Sequence, residues 1–289
     1  MAAPSDVPHL SSLEQRTDEY YQLVLGRQMK QSCCLYPDPE LTLDEAEESM
    51  LELTCQRAQL FDGQLVLEMS CGWGALSIYM ASKYPASRVT AVCASLARQL
   101  FVRRRRRQRG LTNLKVVLQD SEEDFHSRNG YHRVMMVETL ISPGTYQDTL
   151  QRASTWLKPD GIVFIQAPCH HQQCQVSQGT TEGMQQQLTP GIALPPFCFF
   201  STLQGDLKLQ QQWYVNGLNY SRTLGAWLQR HNDSKSAVMR CLEEQVGRRQ
   251  IRSYFARCRL GLLAESVLFG NAQGTTWGVG HYTFIRQTK

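Results

Sequence analysis

The chain has 289 residues, of which 42% are hydrophobic, and its formal net charge is +4. This length suits one large α/β domain with additions or two small ones, and the hydrophobic content argues against extensive disorder. So modest a charge does not favour nucleic acid as a partner. Ten cysteines without a secretory signal predict reduced thiols and a cytoplasmic location. No apolar run approaches the roughly 20 residues that span a bilayer.

Two helices are predicted before the first strand. Ser11 and Glu14 form a capping-box pattern, as do Thr42 and Glu45, so helices should run over residues 11–25 and 43–59. Apolar residues recur at helical spacing in the second of them, which predicts one buried face. Because both helices precede the first strand, we expect residues 1–60 to form a helical lid packed on a core of residues 61–289.

Residues 65–81 are the stretch around which the chain is organised. Residues 65–69 have the composition of a buried strand, residues 70–74 form a small-residue turn, and a helix follows. Glycines in such a turn let the backbone approach a ligand closely, and the helix start presents free N–H groups. Glu68, at the end of the strand, suits a cationic or hydroxyl-bearing ligand better than a phosphate. S-adenosylmethionine, with its ammonium, sulfonium and ribose, is such a ligand.

Further strands alternate with helical stretches, which predicts a seven-stranded, mostly parallel, doubly wound sheet with helices on both faces. In such a sheet the ligand lies over the carboxyl ends of the strands. Position alone therefore groups residues 93–95, Asp120, Glu138 and Gln166 with Glu68. The remaining strands are expected at 88–93, 114–118, 133–137, 161–167, 207–215 and 277–286, with a turn at 158–161.

Two other features leave alternatives open. The arginine run at residues 103–107 predicts either a solvated helix face, with Leu100 and its neighbours supplying the buried side, or a nuclear-targeting or anion-binding patch. Residues 168–206 are rich in Gln, Gly and Pro, and we expect an insertion between strands 5 and 6 that caps the substrate pocket. Cys169, His170, His171 and Cys174 within it are nominally four zinc ligands, but adjacent side chains on an extended chain point apart, which favours ordinary loop residues.

Several blocks resemble the coclaurine N-methyltransferase branch of the cyclopropane fatty-acid synthase family of class I methyltransferases. They are spread over nearly the whole chain, and the block at 220–229, with Tyr220, Arg222, Thr223 and Trp227, is not a generic sheet pattern. The others occupy residues 42–50, 68–74, 83–90, 213–217 and 277–284.

The resemblance implies a Rossmann-like fold, S-adenosylmethionine as cofactor, a small-molecule acceptor and no metal. It places the catalytic groups at Glu138 and Tyr220. Gly72 and Gly74 should let the backbone reach the methionine part, and a valine at 74 should occupy its place. The residues implied in cofactor binding are Ser32, Glu68, Gly72, Gly74, Ala94, Ser95, Gln99 and Asp120.

This chain departs from the family at several positions. The family usually has glycine where Ser70 stands and tyrosine where Gln31 stands. Its members carry a Glu-x-x-Glu-His block whose second Glu and His are credited with accepting the proton of the amine, but here those positions are Ile141 and Ser142. Cyclopropane synthases hold bicarbonate with Cys, Glu, His and Tyr. Cys33 and Tyr220 match that set, whereas Ile141 and Gln166 do not, which disfavours cyclopropanation.

Three hypotheses follow. The chain is a methyltransferase that uses another base, or one for a nucleophile that needs little help from a base, such as a neutral amine, an imidazole or a thiolate. Alignment and desolvation supply much of the rate of methyl transfer. Alternatively, it is a cofactor-binding protein that has lost catalysis and serves as a regulatory module. Lipid modification is the third. We favour an active enzyme because Glu138, Tyr220 and the C-terminal block are retained.

Overall fold

The computed structural model describes residues 18–119, 130–139, 146–171, 194–203 and 205–287. A seven-stranded sheet with the order β3-β2-β1-β4-β5-β7-β6 forms its centre. The strands are β1 Leu65–Met69, β2 Arg88–Cys93, β3 Leu114–Leu118, β4 Tyr131–Val137, β5 Leu157–His170, β6 Leu207–Asn216 and β7 Trp277–Arg286. Neighbours from β3 to β5 pair in parallel, whereas β7 runs antiparallel to both β5 and β6. The predicted seven-stranded, mostly parallel sheet is confirmed.

Helices cover both faces of this sheet. They are α1 Asp18–Val24, α2 Leu43–Arg57, α3 Ala75–Lys83, α4 Leu96–Gln108, α5 Tyr146–Trp156, α6 Phe199–Thr202, α7 Leu218–Asp233, α8 Lys235–Val246 and α9 Ile251–Gly270. Buried residues of α3, α4, α7 and α9 form one apolar cluster with the sheet, and those of α5 and α6 form a second. None of the helices in the described ranges is long and apolar enough to cross a membrane.

The expected boundaries differ from the observed ones at a few places. The predicted turn at 158–161 lies inside β5, where the pairing with β4 shifts between Tyr131 and Arg133. Gly161 sits there with its α-carbon against the backbone: an added Cβ would lie 2.9 Å from the carbonyl oxygen of Tyr131. The proline and glycine of this stretch therefore interrupt the pairing without ending the strand. Helix α7 is longer than the expected 221–229, and residues 11–17 of the predicted first helix lie outside the described residues.

The chain between α1 and α2, residues 25–42, is here called the collar segment. Its backbone is fixed by side chains from α4 and α7: the Arg105 guanidinium donates to the carbonyl oxygens of Arg27 (3.1 Å) and Gln28 (3.0 Å). Thr223 Oγ1 accepts from the amide of Cys34 at 3.1 Å. The predicted capping box at Thr42 is present and starts α2 immediately after the collar segment. The division into a lid over 1–60 and a core over 61–289 stays a prediction.

The arginines at residues 103–107, on α4, make more hydrogen bonds to backbone outside the helix than a solvated helix face would. Arg103 donates to the carbonyl oxygen of Val116 at 3.1 Å, and Arg106 donates to that of Leu111 at 3.0 Å, in addition to the contacts of Arg105. Guanidinium groups have five donors in a rigid fork, which suits them to tying backbone carbonyls together. The expected burial of Leu100 is wrong: it is 55% exposed, because Phe101 and Val102 supply the buried side of this turn.

Gly217, at the N-cap of α7, and Gly225, within the helix, provide a matched test of how α7 packs. An alanine Cβ at Gly217 would overlap the carbonyl oxygens of Trp277 and Phe269, whereas one at Gly225 meets nothing within 4 Å. We expect Gly217→Ala to lower the free energy of unfolding by about 1–3 kcal/mol, because backbone atoms must move. Gly225→Ala should raise it by about 0.5–1 kcal/mol, because alanine is the better helix former. Urea denaturation followed by circular dichroism measures both, and equal effects of the two variants would contradict this packing.

Candidate active site

A cavity of about 450 Å³ lies over the carboxyl ends of β1, β2, β4 and β5, where the sequence places the ligand. The collar segment closes it on one side and α7 on another. Both the turn after β1 and the pair Glu138 and Tyr220 border it. The lining residues include Met29, Lys30, Gln31, Ser32, Glu68, Ser70, Gly72, Ala94, Arg98, Gln119, Val137, Glu138, Thr139, Tyr146, Pro168, Leu194 and Tyr220.

The turn between β1 and α3 has three residues in the left-handed backbone region: Ser70 (φ 51°), Gly72 (φ 55°) and Gly74 (φ 77°). An added Cβ at Gly72 meets no atom within 4 Å, so this glycine faces open space in the cavity. At Gly74 a Cβ would lie 2.8 Å from Val102 Cγ2 on α4. Gly74 is therefore required by its own backbone angle and by helix packing. Our expectation that a valine at 74 would take the place of the methionine part is wrong.

Glu68 is buried at the floor of the cavity. The Ser77 hydroxyl, from α3, donates to its carboxyl group. Burial raises the pKa of Glu68 from its usual value to about 8, although the hydrogen bonds from Ser77 and the charge of Lys30 act in the opposite direction. At neutral pH the group therefore holds its proton in the free protein, and a cationic ligand in the cavity would favour the ionised form.

Lys30 is a cavity residue that sequence reasoning missed. Lys30 is 3% exposed, and its ammonium donates to two neutral acceptors, Ser32 Oγ at 2.5 Å and the carbonyl oxygen of Cys33 at 2.6 Å. The collar segment bends sharply here, since Met29 has a φ of 61°. The only local signal in the sequence is that Lys30 stands two residues before Ser32.

Glu138 joins three elements beside the cavity. Its Oε1 accepts from the amide of Cys33 (3.1 Å) and from Gln166 Nε2 (2.8 Å), and its Oε2 accepts from the Tyr220 hydroxyl (2.7 Å). Its own amide donates to the carbonyl oxygen of Gln166 at 2.8 Å. A φ of 51° aims the carboxylate back across the end of β4. Such strained backbone persists only where surrounding contacts hold it.

Tyr220 is fully enclosed and keeps its proton. Its ring packs on Phe269 of α9, with centroids 4.5 Å apart. Burial, then the neighbouring charge of Glu138, raises the pKa of the Tyr220 phenol well above its usual value. Tyr220 is therefore a hydrogen-bond donor that orients the Glu138 carboxylate, and at neutral pH it does not act as a base.

The cavity brings most of the expected residues together. Six of them line it: Ser32, Glu68, Gly72, Ala94, Glu138 and Tyr220. Gly74, Ser95 and Gln99 do not: Ser95 caps α4 by accepting from the amide of Arg98 at 3.4 Å, and Gln99 is buried with its amide 3.5 Å from the carbonyl oxygen of Val116. Asp120, Ile141, Ser142 and Cys174 lie outside the described residues. In the described ranges, no group of three or more His, Cys, Asp or Glu side chains could hold a metal ion.

Comparison with known proteins identifies the family of this chain. The sequence profile of the family described as Mycolic acid cyclopropane synthetase matches residues 9–268. The chain belongs to this family. It is 31% identical to the (S)-coclaurine N-methyltransferase of Thalictrum flavum subsp. glaucum over 93% of this chain and 76% of that protein. It is 26% identical to the cyclopropane-fatty-acyl-phospholipid synthase of Escherichia coli K12, over 74% of this chain and 53% of that protein.

Two solved structures extend the likeness. A coclaurine N-methyltransferase bound to N-methylheliamine and SAH (S-adenosylhomocysteine) superposes with a TM-score of 0.86 at 29% identity, covering 96% of this chain and 81% of that one. The cyclopropane synthase MmaA2 of Mycobacterium tuberculosis, at 19% identity and a TM-score of 0.77, covers 96% and 98% and shows the shared fold. The expected resemblance, fold class and cofactor are confirmed: the chain is an S-adenosylmethionine-dependent methyltransferase of this family.

Gly72 and Gly74 make a matched pair for testing the site. We expect Gly72→Ala to weaken the binding of S-adenosylhomocysteine roughly tenfold, because its methyl group enters the cavity. Both alanines strain a left-handed backbone, but Gly74→Ala should lower the midpoint of thermal unfolding more than Gly72→Ala does, because only the methyl group at 74 meets Val102. Isothermal titration and differential scanning fluorimetry measure the two effects. An unchanged affinity in a folded Gly72→Ala variant would place the cofactor elsewhere.

Proposed function

We propose that this chain transfers the methyl group of S-adenosylmethionine to the nitrogen of a small-molecule amine that reaches the site as a neutral base. The observation that carries the proposal is that one cavity joins the turn after β1 to the Glu138–Tyr220 pair. The cofactor would lie at the turn, and the acceptor beside the Glu138–Tyr220 pair. The similar coclaurine N-methyltransferase, which was solved with SAH and N-methylheliamine, supports an amine as acceptor.

The turn after β1 and its surroundings offer complementary charges for a methionine group. Glu68 can accept from its ammonium, and Gly72 leaves room for its backbone-like atoms. Lys30 is the group that would meet its carboxylate: the ammonium of Lys30 is buried, lines the cavity and has neutral partners in the described structure. A charged hydrogen bond to a carboxylate is worth more than one to a neutral acceptor. These three residues therefore form our proposed anchor for the methionine part.

The surroundings of Glu138 favour an amine that arrives unprotonated, with its lone pair free. Both oxygens of Glu138 already accept hydrogen bonds, so this carboxylate is held as a fixed negative charge more than as a free base. Methyl transfer from a sulfonium to a neutral amine moves positive charge onto the nitrogen, and a fixed carboxylate nearby stabilises that charge. Tyr146, Pro168 and Leu194 supply apolar and aromatic surface around it. A thiolate acceptor fits these surroundings less well, because its negative charge would face the carboxylate.

The second candidate is a cofactor-binding protein without turnover. It is favoured by one sequence observation, namely that Ile141 and Ser142 stand at the positions of the family's Glu-His pair. The absence of nucleic acid as partner and the cytoplasmic location stay expectations from charge and cysteine content. Lipid modification remains less favoured, because Ile141 and Gln166 replace two groups of the cyclopropane synthase set.

The role of Lys30 can be tested with two ligands that differ in the methionine part. We expect Lys30→Met to weaken the binding of S-adenosylhomocysteine roughly tenfold and to leave 5′-methylthioadenosine, which has no carboxylate, unaffected. Lys158→Met, at the far end of β5, is the control and should change neither affinity. Isothermal titration measures all four values. Equal losses for both ligands would show that Lys30 acts on the fold of the collar segment alone.

A measurement of turnover distinguishes an active methyltransferase from a cofactor-binding protein without catalysis. We expect the unmodified protein to methylate secondary amines at a rate that climbs with pH towards the pKa of the acceptor itself, because no tuned base lowers that requirement. Restoring the family pair with Ile141→Glu and Ser142→His should raise activity near neutral pH.

The readout is release of S-adenosylhomocysteine across a series of amines of graded pKa. If both the natural chain and the restored variant bind the cofactor and methylate no amine, thiol or imidazole, the pseudoenzyme hypothesis holds. A pH plateau that is the same for every amine would instead reveal a protein base.

A further inference from the structure

A row of buried polar side chains lies directly behind Glu138. Gln166 on β5 and His281 on β7 are opposite partners in the antiparallel pair, so their side chains emerge on the same face of the sheet. Gln166 is 1% exposed and His281 is fully buried. The Gln166 amide uses its Nε2 to donate to Glu138, whereas its Oε1 has no partner among the described residues.

The contact with Arg57 of α2 fixes the tautomer of His281. Arg57 Nη1 lies 2.9 Å from His281 Nδ1, and a guanidinium can only donate, so Nδ1 must be the acceptor. Burial, together with the charges of Arg57 and Lys30, holds the pKa of His281 well below its usual value, and the ring is neutral. The proton therefore sits on Nε2. That N–H is buried, and it too has no partner in the described part of the chain.

One unpaired acceptor and one unpaired donor thus stand on neighbouring, opposed residues. Leaving both unsatisfied would cost the desolvation free energy of each group with no hydrogen bond to offset it. Opposed residues of an antiparallel pair have Cβ atoms about 4.5–5.5 Å apart, which leaves a bridging water within reach of both side chains. Buried waters typically occupy such polar sites.

We infer that a buried water joins His281 Nε2 to Gln166 Oε1, and that Arg57 and His281 are positioning residues for Glu138. Every link then donates in the same direction: Arg57 to His281, His281 to water, water to Gln166, and Gln166 to Glu138. Such a one-way chain stabilises negative charge on the carboxylate and fixes its orientation. This inference rests on the proposed function, since it assigns the chain of donors to the carboxylate that faces the methyl acceptor.

The arrangement of α2 and β6 supports the assignment. The guanidinium of Arg57 stacks over the Trp213 ring of β6, 5.0 Å from its centroid, and Phe164 packs edge-on against the His281 ring at 5.1 Å. The Trp213 ring packs against Arg57 and the Phe164 ring packs against His281. Neither ring takes a hydrogen bond from the proposed chain of donors. On the same face of β7, two residues further, Thr283 is fully buried and its hydroxyl also has no partner among the described residues, but it opposes Phe164 and has no link to Glu138.

Thr283 therefore provides the matched control. We expect His281→Phe and Arg57→Leu to lower kcat for methyl transfer about tenfold to a hundredfold, because the Gln166 amide loses the link that fixes it and orients the carboxylate less precisely. Binding of S-adenosylhomocysteine should change less than about twofold, since the proposed cofactor site is untouched. Thr283→Val should leave both quantities unchanged, and Arg57→Lys should recover much of the loss, because an ammonium can still donate to Nδ1.

Two readouts do not depend on turnover. Nitrogen-15 NMR of the imidazole should show the proton on Nε2 in the natural protein and a mixture of tautomers in Arg57→Leu. A high-resolution crystal structure should place a water between His281 and Gln166. A proton on Nδ1, or a direct protein partner in place of the water, would overturn the inference even if no acceptor is found. Confirmed NMR and crystallographic results with unchanged kcat would overturn the positioning role and leave the proposed function standing.

Discussion

The site depends on the hydrogen bonds that the Glu138 carboxylate accepts. This carboxylate ties the collar segment through Cys33, β5 through Gln166 and α7 through Tyr220, and these partners are 105, 28 and 82 residues away in sequence. Removing an acceptor from buried donors leaves each of them unsatisfied, which costs more than the bond itself contributes. One side chain at the end of β4 therefore holds closed a cavity whose walls come from three distant parts of the chain, and its left-handed backbone is tolerated for that reason.

Local patterns predicted the sheet well. The strands β1, β2, β3 and β7 have the expected bounds, because buried strands of a doubly wound sheet are short apolar runs with clear breaks on either side. The position of the cavity followed from topology, since parallel strands bring their carboxyl ends to one edge. That is why Glu68 and Glu138, 70 positions apart, could be assigned to one site before any contact between elements was known.

Contacts between elements could not be predicted in the same way. Gly74 resembles a ligand-binding glycine in sequence, but Val102 on α4 is what excludes a side chain there. The arginine run resembles a solvated face, yet Arg105 holds the backbone of the collar segment. Lys30 has no signal in the sequence beyond its place two residues before Ser32, and its burial beside the cavity is visible only in the structure. For Gly74 and Arg105 the deciding partner is distant in sequence, and neither periodicity nor composition contains that information.

The structure shows the physical consequence of one departure from the family, at Ser70. Ser70 replaces the usual glycine at a φ of 51°, a conformation that glycine adopts freely and other residues adopt at a cost of about 1–2 kcal/mol. The turn that would hold the cofactor therefore carries strain that glycine would avoid. The two acids of the cavity have contrasting surroundings. Burial raises the pKa of Glu68, which accepts a hydrogen bond from the Ser77 side chain, whereas Glu138 accepts from three donors. In our proposal the ammonium of the cofactor takes the place of the proton on Glu68, and Glu138 faces the acceptor. The cavity thus keeps two carboxyl groups in contrasting surroundings, although the family's Glu-His pair is replaced in the sequence.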